Sequence, residues 1–353
     1  MEYIALKNIC KINMGQSPDS SSYNDNKDGI PFFQGNADFG EKYPVTRVWC
    51  NAPIKVAQPN DILISVRAPI GALNFAKEEC CIGRGLAALT PDRSKVSLEF
   101  IYWVLKWKKA ELNSKGTGST FKAISRKVLE ETLVPAIDFE KQYEYVEILG
   151  KTYSVIKKYK KELNCLDGLI KARFVEMFGD PVSNSYGFPE ATLPELGELG
   201  RGVSKHRPRN DSKLLGGDYP LIQTGDVANA GLYITSYGGT YSELGLKQSK
   251  MWNKGTLCIT IAANIAKTAI LEFDACFPDS VVGFIANEKT NNIFIHYWFS
   301  FFQAILESQA PESAQKNINL KILSELKVIV PKKEKQDEFV EFIEQVYKSK
   351  VTV

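Results

Sequence analysis

Histidine is nearly missing from this chain, and cysteine occurs without the spacing that metal or redox sites need. Only two histidines, His206 and His296, occur in 353 residues, too few for a histidine-based metal site or a Cys/His nucleophile. The seven cysteines include no CxxC pair, and the adjacent Cys80 and Cys81 are badly placed to bridge each other. We therefore expect reduced thiols, no bound metal and a cytoplasmic protein.

Long apolar runs and a strong charge of one sign are also absent. The first residues, MEYIALKNICKINMG, contain no apolar stretch of the length found in secretory signals. No run of about 18 apolar residues occurs, so we expect no membrane span. The formal net charge is only +3, so overall charge does not by itself indicate a nucleic-acid-binding protein.

Catalytic motifs are absent as well. Residues 115–125 read KGTGSTFKAIS, which suggests a phosphate-binding loop, but Phe121 and Ala123 stand where the pattern GxxxxGK(S/T) requires Gly and Ser or Thr. The chain has no GxSxG elbow and no (D/N/S)PP(Y/F/W) tetrapeptide of an adenine methyltransferase. Pro278-Asp279 followed by Glu288-Lys289 lacks the spacing of a PD…(D/E)xK nuclease. We predict no catalytic residue and no cofactor.

The clearest positive feature is an internal repeat. Residues 100–146 and 294–340 are identical at 17 of 47 positions without a gap. Upstream, GIPFFQGNAD (29–38) resembles DYPLIQTGD (218–226), and NDILISVRAPIGAL (60–73) resembles KGTLCITIAANIAKTAI (254–270). Two long copies favour one duplicated unit, since a solenoid needs a shorter period and at least three copies.

Both copies have the same predicted order of elements. Short runs rich in Ile, Val, Phe and Tyr predict strands, as at 61–66, 86–91, 256–261 and 281–286. Aromatic helices are predicted at 97–113 and 292–308, and we assign them to packing rather than to base stacking. A polar loop, a short amphipathic segment, an extended segment (ETLVP or KVIVP) and a charged helix complete each copy.

The two charged helices differ in length. Residues 139–178 place apolar side chains mostly three and four residues apart with charges between them, which favours a long antiparallel coiled coil over a core helix. Gly179-Asp180-Pro181 should end this helix, which is predicted to be about 60 Å long. The second copy has only Lys335–Val353, or about 28 Å. About half of the longer helix is therefore predicted to lack a partner within the chain.

Basic residues collect in one loop of the second copy. GRGVSKHRPRNDSK (200–213) has five arginines and lysines against one Asp, whereas the corresponding MGQSPDSSSYNDNKDG (14–29) is polar, with one Lys and three Asp and no basic cluster. Arginine and lysine bind phosphate oxygens, and the arginine fork can read guanine in the major groove. A solvated basic loop, drift between the copies and two different half-site specificities are all compatible with this difference.

Taken together, these features resemble the specificity subunit of type I restriction–modification systems. The resemblance rests on GSTFKAISRKVLEETLVPAIDFEKQ (118–142), SAQKNINLKILSELKVIVPKKEKQ (313–336), MFGDPVSNSYGFP (177–189) and the IPFFQGNAD and YPLIQTGD strings, and it extends over essentially the whole chain. It implies an α+β fold in which two duplicated β-rich target-recognition domains are separated by long antiparallel coiled-coil helices. The implied recognition domains are 1–138 and 180–330, with helical segments at 139–179 and 331–353.

The resemblance also implies a non-catalytic, DNA-binding subunit of a larger complex. Each recognition domain would read one half of a split DNA sequence, while the helices would set the gap and dock two methyltransferase subunits. Two motor–nuclease subunits would join for cleavage. The residues implied to contact double-stranded DNA are Gln16, Ser17, Arg67, Lys122, Arg201, Lys205, Arg207, Arg209, Lys213 and Lys316. Those implied to contact protein partners are Val146, Leu149, Tyr153, Ile156, Leu163, Leu166, Ile170, Val340, Ile343 and Tyr347.

The short last helix departs from the family pattern. A naturally short member and a truncated one both fit it, and two chains could pair their uncovered helix halves as a homodimer. Two further interpretations of the sequence stay open: a coiled-coil scaffold that binds no DNA, and a divergent stand-alone DNA-modifying enzyme.

Overall fold

The computed structural model describes residues 2–118, 122–262, 264–309 and 318–352. The chain forms two compact units, Met1–Lys158 and Tyr159–Val353, and the division lies inside one long helix. Each half of that helix packs against the β-rich part of its own unit, which is why contacts divide the chain there. Both units combine sheets and helices, so the predicted α+β class is confirmed.

The first unit consists of short strands, short helices and the beginning of the long helix. Its strands are Tyr3–Ala5 (β1), Cys10–Met14 (β2), Tyr23–Asn24 (β3), Ile30–Phe33 (β4), Trp49–Cys50 (β5), Val56–Ala57 (β6), Ile62–Ser65 (β7), Leu73–Phe75 (β8), Cys80–Ile82 (β9), Leu86–Pro91 (β10) and Leu133–Pro135 (β11). Its α-helices are Leu98–Trp107 (α1), Lys109–Ser114 (α2), Arg126–Glu130 (α3) and Phe139–Phe178 (α4), of which α4 continues into the second unit. Its 3-10 helices are Leu6–Asn8, Ser20–Ser22 and Asn36–Asp38.

The second unit is built in the same way. Its strands are Glu190–Thr192 (β12), Gly197–Arg201 (β13), Leu215–Leu221 (β14), Tyr233–Ile234 (β15), Gly239–Tyr241 (β16), Met251–Trp252 (β17), Leu257–Thr260 (β18), Thr268–Leu271 (β19), Ala275–Cys276 (β20), Val281–Ala286 (β21) and Lys327–Ile329 (β22). Its helices are Leu193–Leu196 (α5), Thr224–Asn229 (α6), Glu243–Lys247 (α7), Asn292–Gln309 (α8), Leu320–Glu325 (α9), Lys333–Thr352 (α10) and the 3-10 helix Ser212–Leu214.

The two units share a sheet topology. In each, the first and last strands pair antiparallel, β1 with β11 and β12 with β22. A larger sheet has the order β2-β10-β7-β8 in the first unit and β13-β21-β18-β19-β15 in the second. The third sheet contains one parallel pair at the same place, β4 with β9 and β14 with β20. The internal repeat of the sequence is therefore a repeat of the fold.

The predicted elements agree with the observed ones, with one exception. The strands predicted at 61–66, 86–91, 256–261 and 281–286 are found as β7, β10, β18 and β21, and the helix predicted at 292–308 is found as α8. The helix predicted at 97–113 begins with Ser97, whose side chain accepts a hydrogen bond from the Phe100 amide. It is broken in two, because Lys108 has a ψ of 5° and separates α1 from α2.

The long helix α4 has the predicted bounds and the predicted end. Gly179 follows its last residue with a φ of +71°, a conformation that favours glycine, and its amide donates a hydrogen bond to the carbonyl of Val175 (2.8 Å). Near this end Phe174 and Phe178 are fully buried against Phe294 and Phe339. Each such ring contributes about 1.5–3 kcal/mol by leaving water. This aromatic cluster fixes the end of α4 in the second unit.

A buried glutamine joins each charged helix to the aromatic helix of its own unit. In the first unit Gln142 accepts a hydrogen bond from the Ser97 amide (2.8 Å) and donates one to the Ile137 carbonyl (2.9 Å). In the second, Gln336 accepts from the Thr290 hydroxyl and donates to the Pro331 carbonyl (2.9 Å each). These contacts explain why glutamine recurs at this place in the sequence repeat.

Candidate nucleic-acid interface

In the first unit, several loop segments meet at the edge of the sheet where β2 ends and β10 begins. Backbone hydrogen bonds hold them together: Gly15 N to Leu86 O (2.9 Å), Gln16 N to Ile82 O (3.0 Å), Val66 N to Gly85 O (2.9 Å) and Ala68 N to Lys122 O (3.0 Å). The edge is thus a fixed backbone frame rather than a set of independent loops.

Polar side chains cover this first edge. Four of the residues predicted to bind DNA lie here, of which three are exposed and Ser17 is half-buried: Gln16, Ser17, Arg67 and Lys122. The Ser17 hydroxyl accepts hydrogen bonds from the Gln34 side-chain amide (3.1 Å) and the Arg84 backbone amide (3.2 Å). Gln34 and Arg84 are both exposed, and neither was predicted from the sequence to bind DNA. The only signal for Arg84 was the tripeptide Gly-Arg-Gly between two strands.

In the second unit, three of the predicted arginines converge on one acidic residue at the corresponding edge. Arg201 Nε donates to the backbone carbonyl of Asp279 (2.5 Å), Arg207 Nη2 lies 3.5 Å from an Asp279 carboxylate oxygen, and Arg209 pairs with the other oxygen. Lys205 and Lys213 lie in the same loop and are exposed. The sequence did not indicate that an aspartate 70 or more positions away would organise the loop.

Equivalent positions in the two edges can be identified from hydrogen bonds. Gly15 donates to Leu86 and Gly202 donates to Val281, both at 2.9 Å and both at the start of the partner strand. A Cβ at Gly15 would lie 2.2 Å from the Gly83 carbonyl, and one at Gly202 would lie 2.3 Å from the Pro278 carbonyl. Only glycine fits such a close approach, so both copies keep it.

Equivalent positions of the frame carry different side-chain charges in the two units. Arg84 and Asp279 each stand two residues before the strand that accepts the glycine hydrogen bond. Val66 donates to Gly85 (2.9 Å) as Ile261 donates to Ser280 (3.0 Å), so the next residues, Arg67 and Ala262, also correspond. At two equivalent positions the first unit therefore has arginine where the second has aspartate or alanine.

The described residues that follow the polar loop in each copy hydrogen-bond to the edge. Ile124 donates to the Val66 carbonyl and Ile318 to the Ile261 carbonyl, both at 2.9 Å, and both isoleucines are buried. Lys122 is exposed beside this contact. Lys316, its predicted counterpart, lies outside the described residues.

The residues predicted to bind protein partners fall into two groups according to burial: the first group is buried or half-buried, and the second is exposed. Ile170 and Ile343 are fully buried in the core of the second unit, so their side chains face their own chain and the prediction is corrected for these two. The apolar spacing that suggested a coiled coil is satisfied there by the unit's own core. The remaining members of this first group are half-buried: Val146, Leu163, Leu166, Val340 and Tyr347.

The second group lies on α4 before the unit boundary and is exposed. Leu149, Tyr153 and Ile156 are 42–45% exposed. Tyr153 is partly engaged, because its ring contacts Trp103 (5.5 Å between centroids) and Lys106 Nζ lies 3.4 Å from its centre. Other large apolar residues of this half of α4 are also exposed, including Tyr145, Ile148 and Val155. An apolar stripe here has no cover among the described residues.

The later half of α4 is covered by α10, which runs antiparallel to it. Arg173 pairs with Glu338 (2.9 Å), whereas Asp167, earlier on α4, pairs with Lys350, later on α10. Phe174 packs on Phe339 with ring centroids 5.3 Å apart. The two halves of α4 thus present the same kind of apolar face, one covered and one open.

Six of the seven cysteines are buried, and the part of the chain that the structure describes contains no cluster of metal-binding side chains. No three His, Cys, Asp or Glu side chains gather there in a way that could hold a metal ion. The cysteines are free, and burial raises the pKa of Cys10 and Cys80 to about 12, which keeps both protonated and unreactive. None of the described helices is both long and apolar enough to span a bilayer.

Comparisons with known proteins agree on one family. The family described as "Type I restriction modification DNA specificity domain" matches the chain twice, at residues 1–165 and 190–353. The type I restriction enzyme MjaX specificity subunit of Methanocaldococcus jannaschii is 42% identical over 163 residues, covering 43% of this chain and 38% of that relative. The chain thus matches less than half of that relative's length.

Two further relatives match nearly the whole chain at lower identity. The EcoBI specificity subunit of Escherichia coli is 22% identical, and the alignment covers 98% of this chain and 78% of that protein. The solved structure of a type I restriction–modification S subunit from M. genitalium covers 99% of this chain and 92% of its own, with a TM-score of 0.58 and 16% identity. That structure shares the fold. Because the family matches both copies of the repeat, the chain belongs to the type I restriction–modification DNA specificity domain family.

Proposed function

We propose that the chain is a DNA sequence-specificity subunit in which each unit binds one half of a split double-stranded target. The observation that carries the proposal is the pair of edges: the same hydrogen-bonded frame occurs twice with different polar side chains. A fixed frame with variable side chains suits recognition of two different base sequences, since phosphate contacts position a protein on DNA and base contacts specify the site.

The two kinds of contact can be assigned to different residues of the proposed interface. Lys122, Lys205 and Lys213 are exposed point charges, which suit phosphate oxygens. The arginines and the amides of Gln16 and Gln34 have the donor and acceptor geometry that reads base edges. The chain itself supplies no chemistry in this proposal, and methyl transfer and cleavage belong to other subunits.

The proposal is tested by selecting duplex DNA from a randomised library with the full chain, then measuring affinity by fluorescence anisotropy at several salt concentrations. We expect enrichment of two short sequence blocks at a fixed spacing. We also expect affinity for the enriched duplex at least about 10³-fold above that for unselected duplex. Binding that falls with salt equally for every duplex would instead indicate non-specific phosphate contact alone.

The open apolar face of α4 supports a second part of the proposed function, which is docking of protein partners. We propose that this face, at Tyr145, Ile148, Leu149, Val155 and Ile156, binds a helix of a protein partner. Methyltransferase subunits, with motor–nuclease subunits joining them, and a second copy of this chain in a homodimer are the candidate partners. In this proposal 139–179 and 331–353 form the spacer between recognition domains 1–138 and 180–330, in a cytoplasmic complex.

Analytical sedimentation of the purified chain distinguishes between these candidate partners. A homodimer through α4 predicts a mass that doubles with rising concentration and a loss of that association in Ile156→Lys. Ser154→Lys adds the same charge at an exposed position on the opposite side of the helix and should have no effect. A chain that stays monomeric at every concentration excludes the homodimer. If the chain then assembles with a methyltransferase subunit and Ile156→Lys abolishes that assembly, the methyltransferase subunit is the partner that binds the apolar face of α4.

A further inference from the structure

We propose that Arg84 is the residue by which the first unit reads a guanine in its half of the target. This inference rests on the proposed function and deepens it, because it names one specificity-determining side chain and the base that the side chain recognises. Arginine donates two parallel hydrogen bonds to O6 and N7 of guanine, the commonest specific contact in the major groove.

The turn that carries Arg84 is held in one position. Gly83 donates a backbone hydrogen bond to the Phe33 carbonyl (2.8 Å) and Gly85 donates one to the Gln34 carbonyl (3.2 Å). A Cβ at Gly85 would lie 2.4 Å from that same Gln34 carbonyl, so the turn packs directly against the neighbouring backbone. A side chain on such a turn has a fixed origin, which a two-bond contact to one base requires.

Groups that read bases surround Arg84. Its own amide donates to the Ser17 hydroxyl (3.2 Å), and the Gln34 side-chain amide donates to the same oxygen (3.1 Å). Gln16 is exposed next to Ser17. Glutamine pairs with adenine as arginine pairs with guanine. The cluster therefore has the composition of a reading surface and not only of a basic patch.

The charge around Arg84 also favours base reading. The guanidinium is exposed and forms no ion pair with any carboxylate of the described residues. In the second unit the equivalent residue is Asp279, which engages Arg207 and Arg209. At this position the second unit therefore has an aspartate that orients other arginines, whereas the first unit has an arginine whose guanidinium is not paired with a carboxylate of the described residues.

The experiment uses the full chain and the duplex that wild-type protein enriches from a randomised library. Arg84→Lys keeps the charge and loses the fork. We expect it to weaken binding to the enriched duplex by about 10- to 100-fold, with unchanged affinity for unselected duplex and an unchanged salt dependence. Repeated selection with Arg84→Lys should lose the preference for guanine at a single base pair. Arg93→Lys is the matched control, because Arg93 is exposed beyond the opposite end of β10.

Three outcomes overturn the inference. If Arg84 contacts a phosphate, Arg84→Lys will bind like wild type, whereas Arg84→Ala will weaken all duplexes alike and lower the salt slope by about one. If the enriched block affected by Arg84 contains no guanine, the assigned base is wrong. If wild-type protein enriches no sequence at all, the proposed function itself fails, which distinguishes that failure from a wrong assignment of Arg84.

Discussion

The two edges that we propose to bind DNA have the same backbone hydrogen bonds and different charged side chains. In the first, Arg84 and Arg67 are exposed without a paired acid among the described residues. In the second, Asp279 and Ala262 hold the equivalent positions, and the basic groups come from the loop 200–213, which Asp279 organises. The duplicated part is thus the backbone frame, while the polar side chains that it carries have diverged.

This arrangement separates stability from specificity. The glycine contact, the strand order and the buried isoleucine recur in both copies and are made by backbone or by core side chains. The residues that differ are exposed in the first unit (Arg84 and Arg67) and half-buried in the second (Asp279 and Ala262), and none belongs to a hydrophobic core, so they can change with little loss of folding stability. Under the proposed function, a new half-site would therefore require only substitutions outside the core.

The largest expected effect tests whether the frame is common to both units. Gly15→Ala and Gly202→Ala should each lower the free energy of unfolding by about 3 kcal/mol, because each new Cβ meets a carbonyl oxygen. Urea unfolding of the full chain measures this. Gly225→Ala, where a Cβ meets no atom within 4 Å, is the control. If only one of the two substitutions is costly, the frames are not equivalent.

A smaller expected effect is a loss of folding stability in acid that is specific to the second unit. Burial lowers the pKa of His296 to about 4, and the charge of Lys350 acts in the same direction. Because the unfolded pKa is about 6.5, the neutral ring stabilises the folded state fully above pH 6.5, and this stability is lost as pH falls towards 4. The first unit contains no histidine, so the loss belongs to the second unit alone.

Urea midpoints at pH 7.5 and 5.0 check this prediction. We expect the free energy of unfolding of wild-type protein to fall by about 1–2 kcal/mol more between pH 7.5 and pH 5.0 than that of His296→Gln. The substitution keeps a hydrogen-bonding group for the Thr268 hydroxyl, which lies 3.0 Å from His296 Nδ1. His206→Gln, at an exposed histidine, should behave like wild type. An equal loss in wild type and His296→Gln contradicts the assignment.

The smallest effect concerns the acid that organises the second edge. Asp279→Asn removes the charge that Arg207 and Arg209 share. Affinity for unselected duplex should rise by about 3- to 10-fold at low salt, while the preference for the second sequence block falls because the arginines lose their orientation. Glu288→Gln, an exposed acid elsewhere in the unit, controls for net charge. Unchanged specificity in Asp279→Asn would show that Asp279 does not position these arginines.

The sequence predicted the frame better than the reading surface. Strand and helix periodicities identified the main strands, α8, α4 and the end of α4 at Gly179, because these follow from local patterns of burial. The correspondence of Arg84 with Asp279 was not visible, since the offset between copies changes along the chain: 202 − 15 is 187, whereas 279 − 84 is 195. Loops of different length change the sequence offset between equivalent positions, whereas the backbone hydrogen bonds show which positions are equivalent in space.

The helices show a second limit of sequence reasoning. An apolar stripe with spacings of three and four runs along α4, and its pattern does not reveal which part is covered. Tertiary contacts decide this: Ile170 lies in the core of its unit, whereas Leu149 and Ile156 are open to solvent. The break at Lys108, between two helices predicted as one, was likewise not predicted by local periodicity.

The most direct test of the central claim is to select duplex DNA in parallel with wild-type protein, Arg84→Lys and the double variant Arg207→Lys/Arg209→Lys. We expect two separated sequence blocks for wild type, with Arg84→Lys altering only one block and the double variant altering only the other. A single block, or variants that alter the same base pairs, would contradict the claim that the two units read different halves of one target.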